Sequence, residues 1–358
     1  MIARAALRAL VRRGAALAAV LLACGCASVN PDYDPTRVHH TPTGFRNPYA
    51  PAPDDGFLEW QWQRLQHGLA PQDATRVPVV ATDAELLRAP TPGVRATWIG
   101  QSTVLLQLGR VNVLTDPIFS HRASPLQWIG PAREVPLTLD LGKLPHIDLV
   151  LITDNQYDHL DADSIAGLAA QSGGPPVFVV PLGVDRWFKA HDIASVRSLD
   201  WWGRTEVGGV EVIMTPAQHW SQRTPFDRDE TLWGGYLLKS PGFNAWLVGD
   251  SGYAPELSDD IASHFAQQVP ELDFAMIPVG CYEPRWLMRA VHMNPQEAVR
   301  LHQDVHARLS MGVDWGTFRM CDDPVEAALT DLPAAREAFG VADDAFVLFA
   351  IGETRKLR

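Results

Sequence analysis

The chain has 358 residues, of which 46% are hydrophobic and 20% are charged, and its formal net charge is −12 at pH 7. This length and apolar content suffice for one large hydrophobic core and leave no room for a second catalytic domain. The acidic balance disfavours nucleic acid as a partner and predicts repulsion from anionic membrane surfaces.

Residues 1–26 have the tripartite pattern of a secretory signal peptide. Four arginines precede Gly14–Ala23, an apolar stretch without acidic residues that is too short to span a bilayer. The sequences ending at Cys24 and Cys26 both resemble the lipobox of bacterial lipoproteins, so we expect lipidation at one of these cysteines. Because neither following residue is aspartate, bacterial sorting rules favour the outer membrane, facing the periplasm. Simple secretion with cleavage near Ala27 is the alternative.

Residues 27–55 are rich in proline, aspartate, asparagine and threonine and show no periodicity. This composition predicts a tether or an extended wrap rather than a folded element. The folded domain is expected at residues 56–358.

A loop between a strand and a helix carries the densest group of candidate metal ligands. Asp148–Thr153 is an apolar run typical of a buried strand, and Ala162–Ala170 has helical spacing. Residues two apart in an extended loop project to one side, so we expect Asp154, Gln156 and Asp158 to converge, with His159 beside them.

Two later predicted strands also lead to candidate ligands. Val212–Thr215 precedes His219, and Ala245–Val248 precedes Asp250. A core histidine and a loop-capping carboxylate are the structural alternatives for these two side chains. Gly249–Gly252 also matches a serine-protease nucleophile string, but the surrounding sequence belongs to another fold.

The C-terminal part predicts helices at Pro295–Val305 and Pro324–Phe339 and a strand at Ala345–Ile351. Alternating helices and strands indicate an α/β fold. Cys281 and Cys321 either form a disulfide in an oxidising compartment or remain buried thiols, and the sequence leaves both open.

Between residues 97 and 353 the chain resembles the metallo-β-lactamase fold, in the branch similar to N-acylphosphatidylethanolamine phospholipase D. The resemblance implies an αββα sandwich and a metal-dependent phosphodiester hydrolase. It is carried by these blocks, in this order: Leu114–Ser120, Ala123–Pro125, Tyr157–Asp161, Asp200–Trp202, Pro216–Trp220, Leu232–Gly235, Gly249–Tyr253, Tyr282–Trp286 and Trp315–Phe318.

The resemblance also implies a two-zinc centre with seven ligand positions. Four positions match the family: Asp158, His159, His219 and Asp250. Three carry other residues where the family has histidine: Asp154, Gln156 and Asp314. Gln101 likewise stands where relatives usually have a histidine near the site.

These replacements change the expected chemistry of the centre. Two dications held by two carboxylates keep a net positive charge that acidifies bound water, whereas four carboxylates cancel that charge. Oxygen-rich ligation favours manganese, magnesium or calcium over zinc. We therefore expect zinc hydrolysis to be impaired or absent, with an altered-metal hydrolase, a working zinc hydrolase and a metal-free protein as alternatives.

Several further residues near these blocks are candidates for catalysis or substrate binding. Asp158 and His292 are candidate catalytic groups, with a solvent-facing loop histidine as the alternative for His292. Arg285 could hold a substrate phosphate or pair with an internal acid such as Glu283. The remaining candidate substrate contacts are Tyr282, Trp220 and Gln101.

Two classes of function follow. The first is a metal-dependent hydrolase of a phospholipid-like phosphodiester. The second is an envelope lipoprotein that holds a lipid or acyl ligand without turnover. In both, the expected partners are a small molecule or phospholipid and a membrane reached through the lipid anchor.

Overall fold

A computed structural model describes residues 29–50, 56–89 and 93–358. The predicted signal peptide, with Cys24 and Cys26, lies outside these ranges. No helix within them combines the length and the apolar character that crossing a bilayer would require.

The described residues form sixteen strands. In chain order they are β1 (His40–Thr41), β2 (Gly44–Phe45), β3 (Val94–Gly100), β4 (Thr103–Leu108), β5 (Val111–Thr115), β6 (Leu149–Leu151), β7 (Val177–Pro181), β8 (Val196–Leu199), β9 (Arg204–Val207), β10 (Val210–Thr215), β11 (Gly235–Ser240), β12 (Phe243–Leu247), β13 (Phe274–Pro278), β14 (Ser310–Val313), β15 (Phe346–Val347) and β16 (Thr354–Lys356).

The same residues form eight α-helices and two short 3₁₀ turns, at Ala74–Arg76 and Leu141–Lys143. The helices are α1 (Phe57–His67), α2 (Ala84–Arg88), α3 (Ala162–Ala169), α4 (Asp185–Ala190), α5 (Pro255–Gln268), α6 (Arg285–Met288), α7 (Pro295–Asp304) and α8 (Ala328–Phe339).

Two seven-stranded sheets form the body of the domain, and they have the same internal plan. One has the order β16-β3-β4-β5-β6-β7-β8 and the other β15-β14-β13-β12-β11-β10-β9. Pairing is antiparallel up to β5 in the first sheet and up to β12 in the second, and parallel from there to β8 and β15. Each sheet therefore changes from antiparallel to parallel pairing near its middle.

Alternation along the strands shows how the layers pack. Val113 and Leu149 belong to the large core that also contains the second sheet, whereas Leu114 and Val150 belong to a separate core with Ile165 of α3. Successive side chains of a strand point to opposite faces, so one face of the first sheet packs on the second sheet and the other on helices. This arrangement confirms the predicted αββα sandwich.

Most predicted elements agree with the structure, and two need correction. Helix α8 begins at Ala328 and not at Pro324, because the chain first makes a turn. The predicted strand Ala345–Ile351 is reduced to β15, because the chain then leaves the sheet edge and Ile351 forms an isolated parallel bridge with Val79.

Cys281 and Cys321 form a disulfide. Of the two alternatives that the sequence left open, the structure therefore takes the paired one. The disulfide joins the loop after β13 to the segment that follows β14.

Residues 30–50, predicted as a tether or an extended wrap, lie against the domain and contain the small antiparallel pair of β1 and β2. The backbone N–H of Phe45 donates to the carbonyl oxygen of Asp229 at 2.8 Å. The hydroxyl of Tyr49 donates to Asp260 of α5 at 2.8 Å. We refer to residues 30–50 as the N-terminal wrap.

Candidate metal centre

The candidate ligands lie on segments that follow strands at one end of the two sheets. Asp154–His159 follow β6, His219 follows β10, Asp250 follows β12 and Asp314 follows β14. The carboxyl ends of parallel strands meet at one edge, so polar residues placed there converge although they are distant in sequence. The candidate ligands among these residues are all buried except Gln156, which is half-buried.

The loop after β6 is held in place by an arginine from the other half of the domain. Nη1 of Arg223 donates to the carbonyl oxygens of Asn155 and Leu160 at 2.9 and 2.8 Å. Its guanidinium lies 4.2 Å from the ring centroid of Tyr157, and the Tyr157 hydroxyl donates to the Arg223 carbonyl at 2.8 Å. These contacts fix both ends of the segment that carries Asp154, Asp158 and His159.

His159 is oriented by a carboxylate behind it. Its Nδ1 lies 3.1 Å from Oδ2 of Asp116. The same oxygen accepts from the hydroxyl of Thr153, and Oδ1 of Asp116 accepts from the backbone N–H of Thr153. Nε2 of His159 faces forward, 3.2 Å from Oδ2 of Asp250 and 3.3 Å from Oδ2 of Asp158. A carboxylate behind an imidazole is the usual arrangement that sets the tautomer of a metal-ligating histidine.

Asp250 is the common member of three groups of potential ligands. These groups are Asp154, His159 and Asp250; Asp158, Asp250 and Asp314; and His219, Asp250 and His292. Within each group the ligand atoms lie within 4.8 Å of one another. Asp250 thus has the geometry of a bridging residue.

Gln101 joins two of the acidic side chains. Its Nε2 donates to Oδ2 of Asp158 at 3.2 Å and to Oδ1 of Asp314. Gln101, Asp116 and Asp314 all adopt the left-handed backbone conformation, with φ of 50°, 34° and 59°. Non-glycine residues are held in this conformation only where the surrounding structure imposes it, as at many functional sites.

Two histidines form the opposite wall of the centre. Nδ1 of His219 lies 3.0 Å from the carbonyl oxygen of Val291, so it carries the proton and leaves Nε2 with a free lone pair toward Asp250. Nδ1 of His292 lies 3.9 Å from both Asp250 Oδ2 and Asp314 Oδ2. His292 is therefore buried within the centre and is not the solvent-facing loop histidine that was its alternative.

Burial and crowding shift the pKa values of these groups strongly. Burial raises the pKa of Asp154 to about 8 and, together with the charges of Asp250 and Asp158, also raises that of Asp314. Burial opposes protonation of His159, but the carboxylates around it prevail and raise its pKa well above 6.5. These carboxylates are those of Asp154, Asp158, Asp250 and Asp116. Burial lowers the pKa of His219 to about 3, so this imidazole is neutral at pH 7. Burial opposes ionisation of Asp250, but the neighbouring histidines, His159 first, prevail and lower its pKa.

The donor atoms of the centre fit a divalent cation. Buried polar atoms normally have hydrogen-bond partners. Several buried side-chain nitrogen and oxygen atoms of the centre have none among the described residues. They are Gln101 Oε1, Asp154 Oδ2, Gln156 Nε2, Asp158 Oδ1, His219 Nε2, Asp250 Oδ1, His292 Nδ1 and Asp314 Oδ2. A concentration of unpaired carboxylate oxygens and imidazole nitrogens is what a bound cation would satisfy.

Three residues that were predicted to contact substrate have partners within the protein instead. The hydroxyl of Tyr282 donates to Asp331, and the indole of Trp220 lies under the guanidinium of Arg228 at 4.7 Å. Arg285 pairs with Glu297 at 2.7 Å and donates to the carbonyl oxygen of His292 at 3.0 Å. Arg285 thus takes the internal alternative with an acid, although the partner is Glu297 and not Glu283.

Sequence reasoning missed Asp116 and Arg223. Asp116 follows β5 directly, so the argument that identified Asp250, a carboxylate at the end of a strand, applies to it equally. Arg223 had no such signal, because only the folded chain brings it to a loop more than sixty residues earlier.

Comparisons with known proteins agree with this architecture. Residues 111–315 match the family model described as a beta-lactamase superfamily domain. The chain is 34% identical over 276 residues to N-acyl-phosphatidylethanolamine-hydrolyzing phospholipase D 1 of Caenorhabditis elegans, covering 73% of this chain and 75% of that protein. It is 24% identical over 238 residues to a metal-dependent hydrolase of Methanopyrus kandleri, covering 65% of this chain and 89% of that protein.

A solved structure shares the fold. It is a metallo hydrolase from the archaeon Ignicoccus hospitalis, with a TM-score of 0.54, 18% identity, and coverage of 73% of this chain and 97% of that one. Together with the ligand groups around Asp250, these similarities support a metal cofactor.

Proposed function

Because the chain belongs to the metallo-β-lactamase superfamily, in the branch of N-acylphosphatidylethanolamine phospholipase D-like hydrolases, we propose that it binds a hard divalent cation in an oxygen-rich form of the family centre. Manganese is the cation that we expect to serve best, and zinc hydrolysis is impaired. The substrate class is a phosphodiester, for which a phospholipid is the first candidate because the C. elegans relative is named for one.

One observation carries this proposal, namely four buried aspartates in one centre. They are Asp154, Asp158, Asp250 and Asp314. Isolated buried carboxylates are costly, and the imidazolium of His159 can offset only one negative charge. Divalent cations offset the remainder, and carboxylate oxygens favour manganese, magnesium and calcium over zinc.

The same charge count supports weak zinc chemistry. When bound, the cation supplies Lewis acidity toward water and the phosphoryl oxygens. Four carboxylates reduce that Lewis acidity compared with the two carboxylates that the family centre contains. Gln156 offers a neutral amide where an imidazole would be a stronger zinc ligand.

The protein residues have distinct tasks in this proposal. Asp154, Asp158, His159, His219, Asp250 and Asp314 would hold the cation. Asp116 keeps the proton of His159 on Nδ1 when His159 acts as a neutral ligand. His292 is the candidate proton acceptor, because burial lowers its pKa and keeps Nδ1 available at pH 7.

Metal content and hydrolysis, measured on the same preparation, test this proposal. The purified protein is stripped with chelator, exchanged against zinc, manganese, magnesium or calcium, and analysed by mass spectrometry. Hydrolysis of bis(p-nitrophenyl) phosphate and of N-acylphosphatidylethanolamine is then followed with each metal. We expect stoichiometric manganese and faster turnover with manganese than with zinc.

Other results would redirect the interpretation. Two zinc ions per chain with fast zinc-dependent cleavage would overturn the oxygen-rich proposal. Stoichiometric metal without turnover of either substrate would favour the second class of function, a protein that holds a lipid or acyl ligand. Absence of any bound metal would overturn both the proposed manganese-dependent hydrolase and the zinc-dependent one.

We further propose that the protein works at the cell envelope, attached through lipid at Cys24 or Cys26. The support is the lipobox-like sequence at residues 21–26. Incorporation of labelled palmitate that persists in Cys24→Ala and disappears in Cys26→Ala would assign the second cysteine, and the reverse would assign the first. No incorporation in the intact chain would contradict the attachment.

A further inference from the structure

The N-terminal wrap contacts the loop of the centre that carries His219. Asn47 pairs with both backbone groups of that residue: its Nδ2 donates to the His219 carbonyl at 2.7 Å, and its Oδ1 accepts from the His219 N–H at 3.1 Å. A side-chain amide thus makes the two hydrogen bonds that a neighbouring strand would make.

The neighbouring residue repeats this arrangement in the opposite direction. Nε2 of Gln218 donates to the carbonyl of Ala50 at 2.8 Å, and Oε1 of Gln218 accepts from the Ala50 N–H at 3.3 Å. Two reciprocal amide pairs therefore join Asn47 and Ala50 of the wrap to Gln218 and His219 of the loop. Such paired contacts fix both the position and the rotation of a backbone segment.

The orientation of His219 depends on this backbone. Its ring is held on one side by the carbonyl of Val291 and presents Nε2 toward Asp250. No side chain among the described residues other than Asn47 is hydrogen-bonded to the backbone N–H or carbonyl of His219. Small displacements of a ligand-bearing segment weaken a centre that requires defined geometry.

The middle of the wrap is attached to the domain at a separate place. Nε2 of His39 lies 2.6 Å from Oδ1 of Asp200, and the His39 ring stacks on Trp201 with centroids 4.2 Å apart. Nδ1 of His40 accepts from the N–H of Asp34 at 3.1 Å, so its proton is on Nε2, 3.3 Å from Oδ2 of Asp200. That tautomer gives His40 no free lone pair toward Asp200, so we interpret the cluster as an attachment, made by the hydrogen bond between His39 and Asp200, and not as a second metal site.

We propose that the N-terminal wrap is a working part of the metal centre, in which Asn47 is a positioning residue for His219 and Asp200 attaches the wrap to the domain. The inference rests on the proposed function, because it assigns His219 as a metal ligand. It assigns a role to a segment that precedes the predicted domain and that the sequence predicts to be a tether or an extended wrap.

The test compares three variants of the full chain. Asn47→Ala removes both bonds to His219, whereas Asn47→Asp keeps the acceptor for the His219 N–H and loses the donor. Arg46→Ala is the matched control, because Arg46 is exposed and lies in the same wrap, and among the described residues its side chain is hydrogen-bonded only to the carbonyl oxygen of Val38. Manganese affinity is measured by calorimetric titration, and the unfolding of the metal-free proteins by urea denaturation.

We expect Asn47→Ala to weaken manganese binding roughly tenfold or more, from the loss of two hydrogen bonds, and Asn47→Asp to weaken it less. Arg46→Ala should bind manganese as the unaltered chain does. The urea midpoint of metal-free Asn47→Ala should lie below that of Arg46→Ala, because two part-buried backbone groups lose their partner, so manganese affinity is compared without urea, where both proteins are folded. Unchanged affinity in Asn47→Ala, or equal losses in Asn47→Ala and Arg46→Ala, would overturn the positioning role.

A second measurement separates this inference from the proposed function. If the unaltered chain binds no divalent metal, the proposed function fails, and the ring signals of His219 in nuclear magnetic resonance of the metal-free protein become the readout. Asn47→Ala and Asp200→Asn should shift these signals and Arg46→Ala should not. Unshifted His219 signals in Asn47→Ala would overturn the positioning role regardless of metal.

Discussion

At the scale of residues, the candidate ligands are grouped around one shared carboxylate, that of Asp250. Each of the three groups of potential ligands contains Asp250 together with two other side chains: Asp154 and His159, Asp158 and Asp314, or His219 and His292. Asp314, which stands where the sequence resemblance leads us to expect a histidine, lies in one of these groups. Under our proposal, the difference from the family centre is one of charge and ligand type, which substitutions at these positions would reverse.

Restoring imidazole at the three altered positions should restore a preference for zinc. In the triple variant that combines Asp154→His, Gln156→His and Asp314→His, we expect the zinc content measured by mass spectrometry to rise toward about two ions per chain. Cleavage of bis(p-nitrophenyl) phosphate should become faster. Asp163→His is the control, because Asp163 is exposed on α3 and adds a histidine outside the centre. A triple variant with unchanged zinc content would show that more than the ligand side chains has been altered.

Gln101 should be important when no metal is bound, because its amide bridges Asp158 and Asp314. Gln101→Glu replaces that donor by a further carboxylate, so we expect the free energy of unfolding of the metal-free protein to fall by about 1–3 kcal/mol. Manganese should recover more stability in this variant than in the unaltered chain, as measured by thermal denaturation.

Gln107→Glu provides the comparison for that effect. Gln107 is also buried, and its Nε2 donates to Leu87 and Asn112 at 2.9 Å, away from the centre. This variant should lose stability without any additional recovery by manganese. Equal recovery in the two variants would argue against a cation at Asp158 and Asp314.

At the scale of elements, local sequence patterns predicted the strands and helices that carry the site. The apolar run before Asp154 and the helical spacing after Asp161 placed the ligand loop correctly between β6 and α3. Long-range pairing left no local pattern: Asn47 lies 172 residues from His219 in sequence, and neither residue type announces the contact. The length of the short edge strand β15 could not be predicted either, because a continuous apolar run does not show where strand pairing ends.

The disulfide is the covalent link between two such elements. It joins Cys281 and Cys321, which are separated by 40 residues, and its removal frees a loop of that length in the unfolded chain. We expect reduction to lower the free energy of unfolding by roughly 3–4 kcal/mol. Urea denaturation with and without reductant measures this difference, and Cys281→Ser, Cys321→Ser should be insensitive to reductant. A reductant effect that persists in the double variant would exclude this pair as its origin.

At the scale of the whole molecule, the centre joins the two sheets. Asp154, Asp158 and His159 follow a strand of the first sheet, whereas His219, Asp250 and Asp314 follow strands of the second. A cation held by both sets binds the folded state and not the unfolded chain, so it stabilises the entire domain. Without it, the same residues bring like charges from both halves together.

The metal-free protein should consequently become less stable as the pH rises from 3.8, the ordinary pKa of aspartate, through about 8, the raised pKa of Asp154. Burial raises the pKa of Asp154 to about 8, and surrounding carboxylates raise that of His159 well above 6.5. The folded state therefore keeps protons that the unfolded chain has already released, and that stabilisation is lost as the pH rises through the folded-state values. Urea denaturation across this range, with chelator and with manganese, measures the effect, which manganese should reduce by replacing the protons. Asp154→Asn should show a smaller pH dependence with chelator, and a slope equal to that of the unaltered chain would contradict the assignment to Asp154.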